Sequence, residues 1–153
     1  MWRNMYIHWE KELELDNDLI DTQHRILMLL CRKLDIALKS NESAQVVHRV
    51  MLELKKFIEF HFISEENLMH EIDYPYVDEH ALIHADLLTE LDMMLAKISH
   101  HKEFPDDLLF FLTRWLIQHV VHEDLKITKY VINSCKRPVG ENLYMEYLLS
   151  KNV

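Results

Sequence analysis

Four short patterns set metal-ligating side chains at helical spacing: Asp21-Thr-Gln-His24, His61-Phe-Ile-Ser-Glu65, His80-Ala-Leu-Ile-His84 and His119-Val-Val-His122-Glu123-Asp124. Residues four apart on an α-helix lie about one turn apart on the same face, separated by about 6 Å of axial rise. His61 and Glu65 therefore point the same way, as do His80 and His84. A single inward histidine is more often a hydrogen-bonded core residue than a ligand. Donors recurring on four separate segments favour a chelating box, because facing helices can bring such pairs together in a bundle core.

The donor types constrain the ion. Five imidazoles with two carboxylates exceed one tetrahedral zinc site. They suit a pair of borderline divalent ions, and imidazole mixed with carboxylate is common iron chemistry. Ferritin-like di-iron bundles use mostly Glu, with Glu-x-x-His on two helices, a repeated motif absent from this sequence. On the last segment, spacing alone favours His119 with Glu123, or with His122 one turn along. Asp124 lies five residues from His119, about 140° around an ideal helix. It joins the set only if the helix widens locally there, as a π-bulge would make it do.

Long helices must position these groups. One Gly and three Pro in 153 residues imply few turns, so long helices with short connections are favoured. Residues 1–17 read as a non-helical arm carrying Trp2, Tyr6 and Trp9. A first helix is expected from Asp18 to about Lys39, with Ile20, Leu27, Leu30, Leu34 and Leu38 at three- and four-residue steps. Asn41 or Ser43 can cap a second helix, expected from about Glu42 to His70 with Val46, Val50, Leu54, Phe57, His61 and Leu68 along one stripe. Pro75 suits the first turn of a third helix that reaches about His100. After the turn Phe104-Pro105-Asp106, a fourth helix runs to about Ser134, and Pro138 and Gly140 break it before a short last helix over about 141–150. The expected fold is all-α: one domain over 1–153, an up-down-up-down four-helix bundle with an N-terminal arm and a short C-terminal helix, its core about 7–134 and its extension about 135–153.

Composition excludes several alternatives. A net charge of −9 disfavours nucleic acid, whose phosphates such a chain repels. The most apolar stretch, Leu108 to Val121, is interrupted by Arg114, Gln118 and His119 and is too short to span a bilayer. Cys31 and Cys135 are far apart, so free thiols in a reducing compartment are expected rather than a disulfide framework. Met1 to Glu10 lacks an apolar core of the kind a signal peptide carries. Together these features predict a cytoplasmic protein.

The same residues, in order, resemble the hemerythrins, especially the bacterial ones. The resemblance rests on Asp21-Thr-Gln-His24, His61-Phe-x-x-Glu65-Glu66, Tyr74-Pro75 before His80-x-x-x-His84, and Trp115-Leu116-x-x-His119-x-x-x-x-Asp124, and it covers about residues 7 to 131. It implies two iron ions joined by an oxo or hydroxo bridge. His80, His84 and His119 would hold the first iron, His24 and His61 the second, with Glu65 and Asp124 bridging them. The count leaves one open position, on the second iron, where dioxygen would bind reversibly for storage, transport or delivery to oxygen-requiring enzymes. Leu116, Trp115 and Phe62 are expected near that pocket. The family usually has Gly a few residues before the first-helix Asp; here Leu15-Asp16-Asn17-Asp18 stands instead, and Asn17 is expected to take the left-handed turn. A binding protein rather than an enzyme is implied. The alternative is a module that senses oxygen, iron or redox state and signals to a protein partner through the extension. His8, His48, His70, His100, His101 and His122 are expected on the arm, at helix ends or on the surface.

Overall fold

The computed structural model describes residues 14–101 and 108–135. Of the arm expected over 1–17, residues 1–13 lie outside the described residues and 14–17 are non-helical; the Phe104-Pro105-Asp106 turn and the C-terminal helix over 141–150 also lie outside them. The described residues form an all-α four-helix bundle. Its helices are α1 (Asp18–Lys39), α2 (Ala44–Glu71), α3 (Val77–His101) and a fourth built from α4 (Leu108–His119), a π turn (Val120–Asp124) and α5 (Leu125–Cys135). α1 packs on α2 and α4, and α2 packs on α3.

Local chemistry sets the ends of these helices. Asn17, in extended conformation (φ −127°), caps α1 by accepting the Ile20 N–H at 2.9 Å, and Asp18 and Asp21 place negative charge at the positive end of the helix dipole. The left-handed residue before α1 is therefore Asp16 (φ 56°), not Asn17 as expected. A capping side chain works from extended backbone, so the positive φ passes to its neighbour. Helices α1 and α2 end in the same motif. Asn41 (φ 52°) and Asp73 (φ 53°) take the position where glycine is usual. Asn41 N–H donates to the Leu38 carbonyl at 3.2 Å and Glu42 N–H to that of Ala37 at 3.1 Å, while Asp73 N–H donates to His70 and Tyr74 N–H to Met69. With one Gly in the whole sequence, short polar side chains that tolerate left-handed geometry do this work. Ser43 caps α2 through Val46 N–H. Pro75 lies just outside α3, whose first backbone bond is His80 N–H to the Tyr76 carbonyl at 3.0 Å.

The apolar interior has two parts. The larger runs through Leu27, Leu34, Met51, Leu54, Ile58, Phe62, Leu91, Ile98, Leu112, Leu116 and Val120. The smaller contains Met69, Ile72, Tyr74, Ile127 and Val131. Along α2 and the fourth helix, a layer of buried polar side chains separates the two: His61 and Glu65 on one, His119 and Asp124 on the other. Thr128 donates to the Leu15 carbonyl at 3.0 Å and ties the segment before α1 to α5 beside this layer.

Candidate metal centre

His24 comes from the second turn of α1, His61 and Glu65 from the later half of α2, His80 and His84 from the first two turns of α3, His119 from the end of α4 and Asp124 from the end of the π turn. All seven are buried, with His61, Glu65 and Asp124 at 0% exposure. Early positions on α1 and α3 meet the later half of α2 and the middle of the fourth helix.

The side chains sort into two nests. In one, His84 Nε2 lies 3.1 Å from His119 Nε2, His80 Nε2 is 3.3 Å and His119 Nε2 3.0 Å from Asp124 Oδ1, and His84 Nε2 is 3.3 Å from Glu65 Oε2. In the other, His24 Nε2 lies 3.1 Å from His61 Nε2 and 3.3 Å from Asp124 Oδ2, while His61 Nε2 is 3.6 Å from Glu65 Oε1. Each carboxylate turns one oxygen to each nest. Two donors at right angles around one ion, each at roughly 2.1 Å, would be separated by about 3 Å, which matches the nitrogen spacing in both nests. The donors thus form one group of five and one of four, sharing Glu65 and Asp124.

Burial gives the fit a physical test. None of the four oxygens of Glu65 and Asp124 has a hydrogen-bond partner. Burying such acceptors unpaired is costly, and burying their charge more so unless it is paired or bound to a cation. The titration behaviour expresses the same demand. Burial, reinforced by the Asp124 charge, pushes the Glu65 carboxyl well above the usual carboxylate range. Burial also acts against ionised Asp124, but His119, His24 and His80 outweigh it and hold that carboxyl well below its usual value. His80 is pulled up to about 9 because Asp124 and Glu65 overcome its desolvation. Burial, then the neighbouring His119 and His80, drives His84 down to about 2. His61 falls well below its ordinary value through burial and His24. A divalent metal takes neutral imidazoles and ionised carboxylates, so binding one here would displace the protons that His80 and Glu65 otherwise hold.

The π turn decides which carboxylate enters. Leu125 N–H donates to the Val120 carbonyl, five residues back, so the backbone takes one extra residue per turn and Asp124 returns to the face of His119. The spacing preference for Glu123 or His122 is overturned: Glu123 pairs with Lys126 at 2.7 Å, and His122 is exposed. Asp21 is not among the converging donors. Its oxygens accept the Leu15 N–H at 2.8 Å and the Asn17 N–H at 3.2 Å, clamping the start of α1.

Phe62 lies flat on His84, with ring centroids 3.7 Å apart and an interplanar angle of 4°, and 5.5 Å from His119. Trp115 stands beside His119 and Phe62, and Leu116 is buried in the same apolar cluster. Sequence spacing missed two supporting residues, Gln23 and Glu66. Gln23 Oε1 accepts from His61 Nδ1 at 2.9 Å, and Glu66 Oε1 from His84 Nδ1 at 2.8 Å. Each adjoins a ligand-type residue in sequence, but only the packed structure shows which ring it meets. Among the remaining histidines in described positions, His70 is exposed and His48 half-buried.

A family model described as the hemerythrin HHE cation binding domain matches residues 15–131. A bacteriohemerythrin of Campylobacter jejuni serotype O:6 is 30% identical over 129 residues, covering 84% of this chain and 97% of that protein. One from Stenotrophomonas maltophilia is 29% identical over 116 residues (76% and 75% of the two chains). One from Clostridium acetobutylicum is 28% identical over 121 residues (76% and 94%).

Proposed function

This chain belongs to the hemerythrin family, and from that premise we propose that it holds two non-haem irons and binds dioxygen reversibly. His80, His84 and His119 would hold one iron, His24 and His61 the other, and Glu65 and Asp124 would bridge them. The observation that carries this reading is the sharing of both carboxylates between nests of unequal size, five donors against four. The larger nest would supply five donors to its iron and the smaller only four, so the smaller would keep a position for an exchangeable ligand; an open position distinguishes a reactive site from a structural one. Two ferrous ions there would supply the electrons that dioxygen takes up on binding and returns on release.

The chain's own residues favour binding over turnover. Bound to metal, the five imidazoles would donate as neutral ligands without cancelling the charge of the metal pair. Glu65 and Asp124 leave their oxygens free for it. Phe62 and Leu116, each no more than 3% exposed, with the partly buried Trp115 packed against them, would form a dry wall that withholds water and protons. On this reading the protein is a dioxygen carrier or store rather than an enzyme. No described helix is long and apolar enough to cross a membrane.

The test is a metal count with optical spectra taken anaerobically and then in air. Two irons per chain and a visible band that appears with oxygen and disappears on its removal support the reading. One metal per chain, or a band that decays as peroxide or nitric oxide is consumed, overturns it.

A further inference from the structure

The rings of His61 and His84, one from each nest, are supported by groups of different charge. Behind His61 a chain of hydrogen bonds has one permitted direction. Ser64 Oγ donates to the Phe60 carbonyl at 3.1 Å, which commits its only proton. Its oxygen can then only accept, and it accepts from Gln23 Nε2 at 3.1 Å. That turns Gln23 Oε1 toward His61 Nδ1, 2.9 Å away, so Nδ1 must carry the ring proton and Nε2 the lone pair that faces the centre. Behind His84 the acceptor is the half-buried carboxylate of Glu66, at 2.8 Å from Nδ1. It fixes the same tautomer, but with a negative charge in place of an amide dipole.

We propose that Gln23 and Glu66 are positioning residues that make the two irons electronically unequal, Glu66 stabilising the oxidised state of the iron bound by His80, His84 and His119. The inference rests on the di-iron reading above. A carboxylate accepting the outer N–H of a metal-bound imidazole raises its basicity, and a more basic donor favours the higher charge on its metal. Gln23 performs the same orientation without that charge. Through His84, Glu66 therefore biases the iron bound by His80, His84 and His119 toward the ferric form.

The experiment uses the full chain loaded with ⁵⁷Fe. Metal is counted, and a potentiometric titration is followed by Mössbauer spectroscopy, which reports each iron separately. Glu66→Gln retains an acceptor and removes the charge, and Gln23→Glu adds a charge on the other side. Outer-sphere changes of this kind alter metal affinity by about 10–100-fold; expressed between oxidation states, that is a shift of roughly 60–120 mV in a one-electron potential. Glu66→Gln is expected to raise the potential of one iron, and Gln23→Glu to lower that of the other, with both metals retained. Movement of both irons together, movement of the same iron in both variants, or no movement overturns the inference while leaving the di-iron reading intact. A wild-type count below two irons overturns the reading itself. Should buried Gln23→Glu fail to fold, the half-exposed Glu66→Gln decides alone: one iron shifted supports the proposal, and none or both refutes it.

Discussion

Replacing Glu65 by Gln should change stability in opposite directions with and without metal. Glu65 is fully buried, and neither of its oxygens has a hydrogen-bond partner. Burial and the Asp124 charge raise its carboxyl well above the usual range. In the metal-free protein this is an uncompensated acceptor, and leaving such a group unsatisfied costs about 1–3 kcal/mol. Gln has the same shape, carries no charge and offers an N–H to the unpaired oxygens of Asp124. The metal-free variant is therefore expected to gain about 1–3 kcal/mol at neutral pH. The sign follows from linkage. A carboxyl with a raised native pKa binds its proton more tightly when folded, so its contribution to stability declines as pH rises above the unfolded value of about 4.3. The variant should lose that decline. With metal the sign reverses, because Gln cannot give an anionic oxygen to each of two ions, and every hundredfold loss of affinity removes about 2.7 kcal/mol of metal-dependent stabilisation. The assay is urea denaturation followed by circular dichroism, in chelator and in stoichiometric ferrous iron under anaerobic conditions. Equal destabilisation in both conditions would show that Glu65 is a packing residue and refute the electrostatic argument. A gain in both would show that the metal is held elsewhere.

Three further outcomes follow from the same geometry. His61→Ala should lower the metal count from two toward one, whereas His48→Ala, half-buried and outside both nests, should leave it unchanged; elemental analysis of the purified variants decides. Phe62→Ala should cost about 3–5 kcal/mol of stability in chemical denaturation, because Phe62 is 2% exposed and stacked on His84, and a loss under about 1 kcal/mol would contradict that packing. Metal uptake at pH 7 to 8 should release a proton from His80, which Asp124 and Glu65 hold up to about 9 despite burial. The raised histidine stabilises the metal-free fold fully below about pH 6.5 and loses that contribution as pH rises through about 9. Calorimetry in two buffers of different ionisation enthalpy measures the release, and heats that do not depend on the buffer would exclude it.

Much of the architecture was legible from residue spacing, because helical periodicity is a local property of the chain. Leu27, Leu34, Val50 and Leu54 fall on the stripes that pack the bundle, and α1 begins and ends where capping chemistry places it. The pairs His61/Glu65 and His80/His84 were visible for the same reason, since a four-residue step on a regular helix is a spatial statement. Periodicity could not choose among Glu123, His122 and Asp124, because that choice depends on a departure from regular helix. The family resemblance pointed to Asp124, and the π turn supplies the geometry. The left-handed turn expected at Asn17 falls on Asp16 instead: both tolerate positive φ, and only the bond from Ile20 N–H to Asn17 shows that Asn17 must stay extended.

The sequence by itself determined the donor types, their pairing along each helix and the all-α class, for these follow from side-chain chemistry and a repeat of 3.6 residues. Tertiary structure alone decided that the donors divide five and four around two shared carboxylates, and that His61 rests on an amide while His84 rests on a carboxylate. Those facts depend on the relative height and rotation of separate helices, which packing sets and no local pattern encodes.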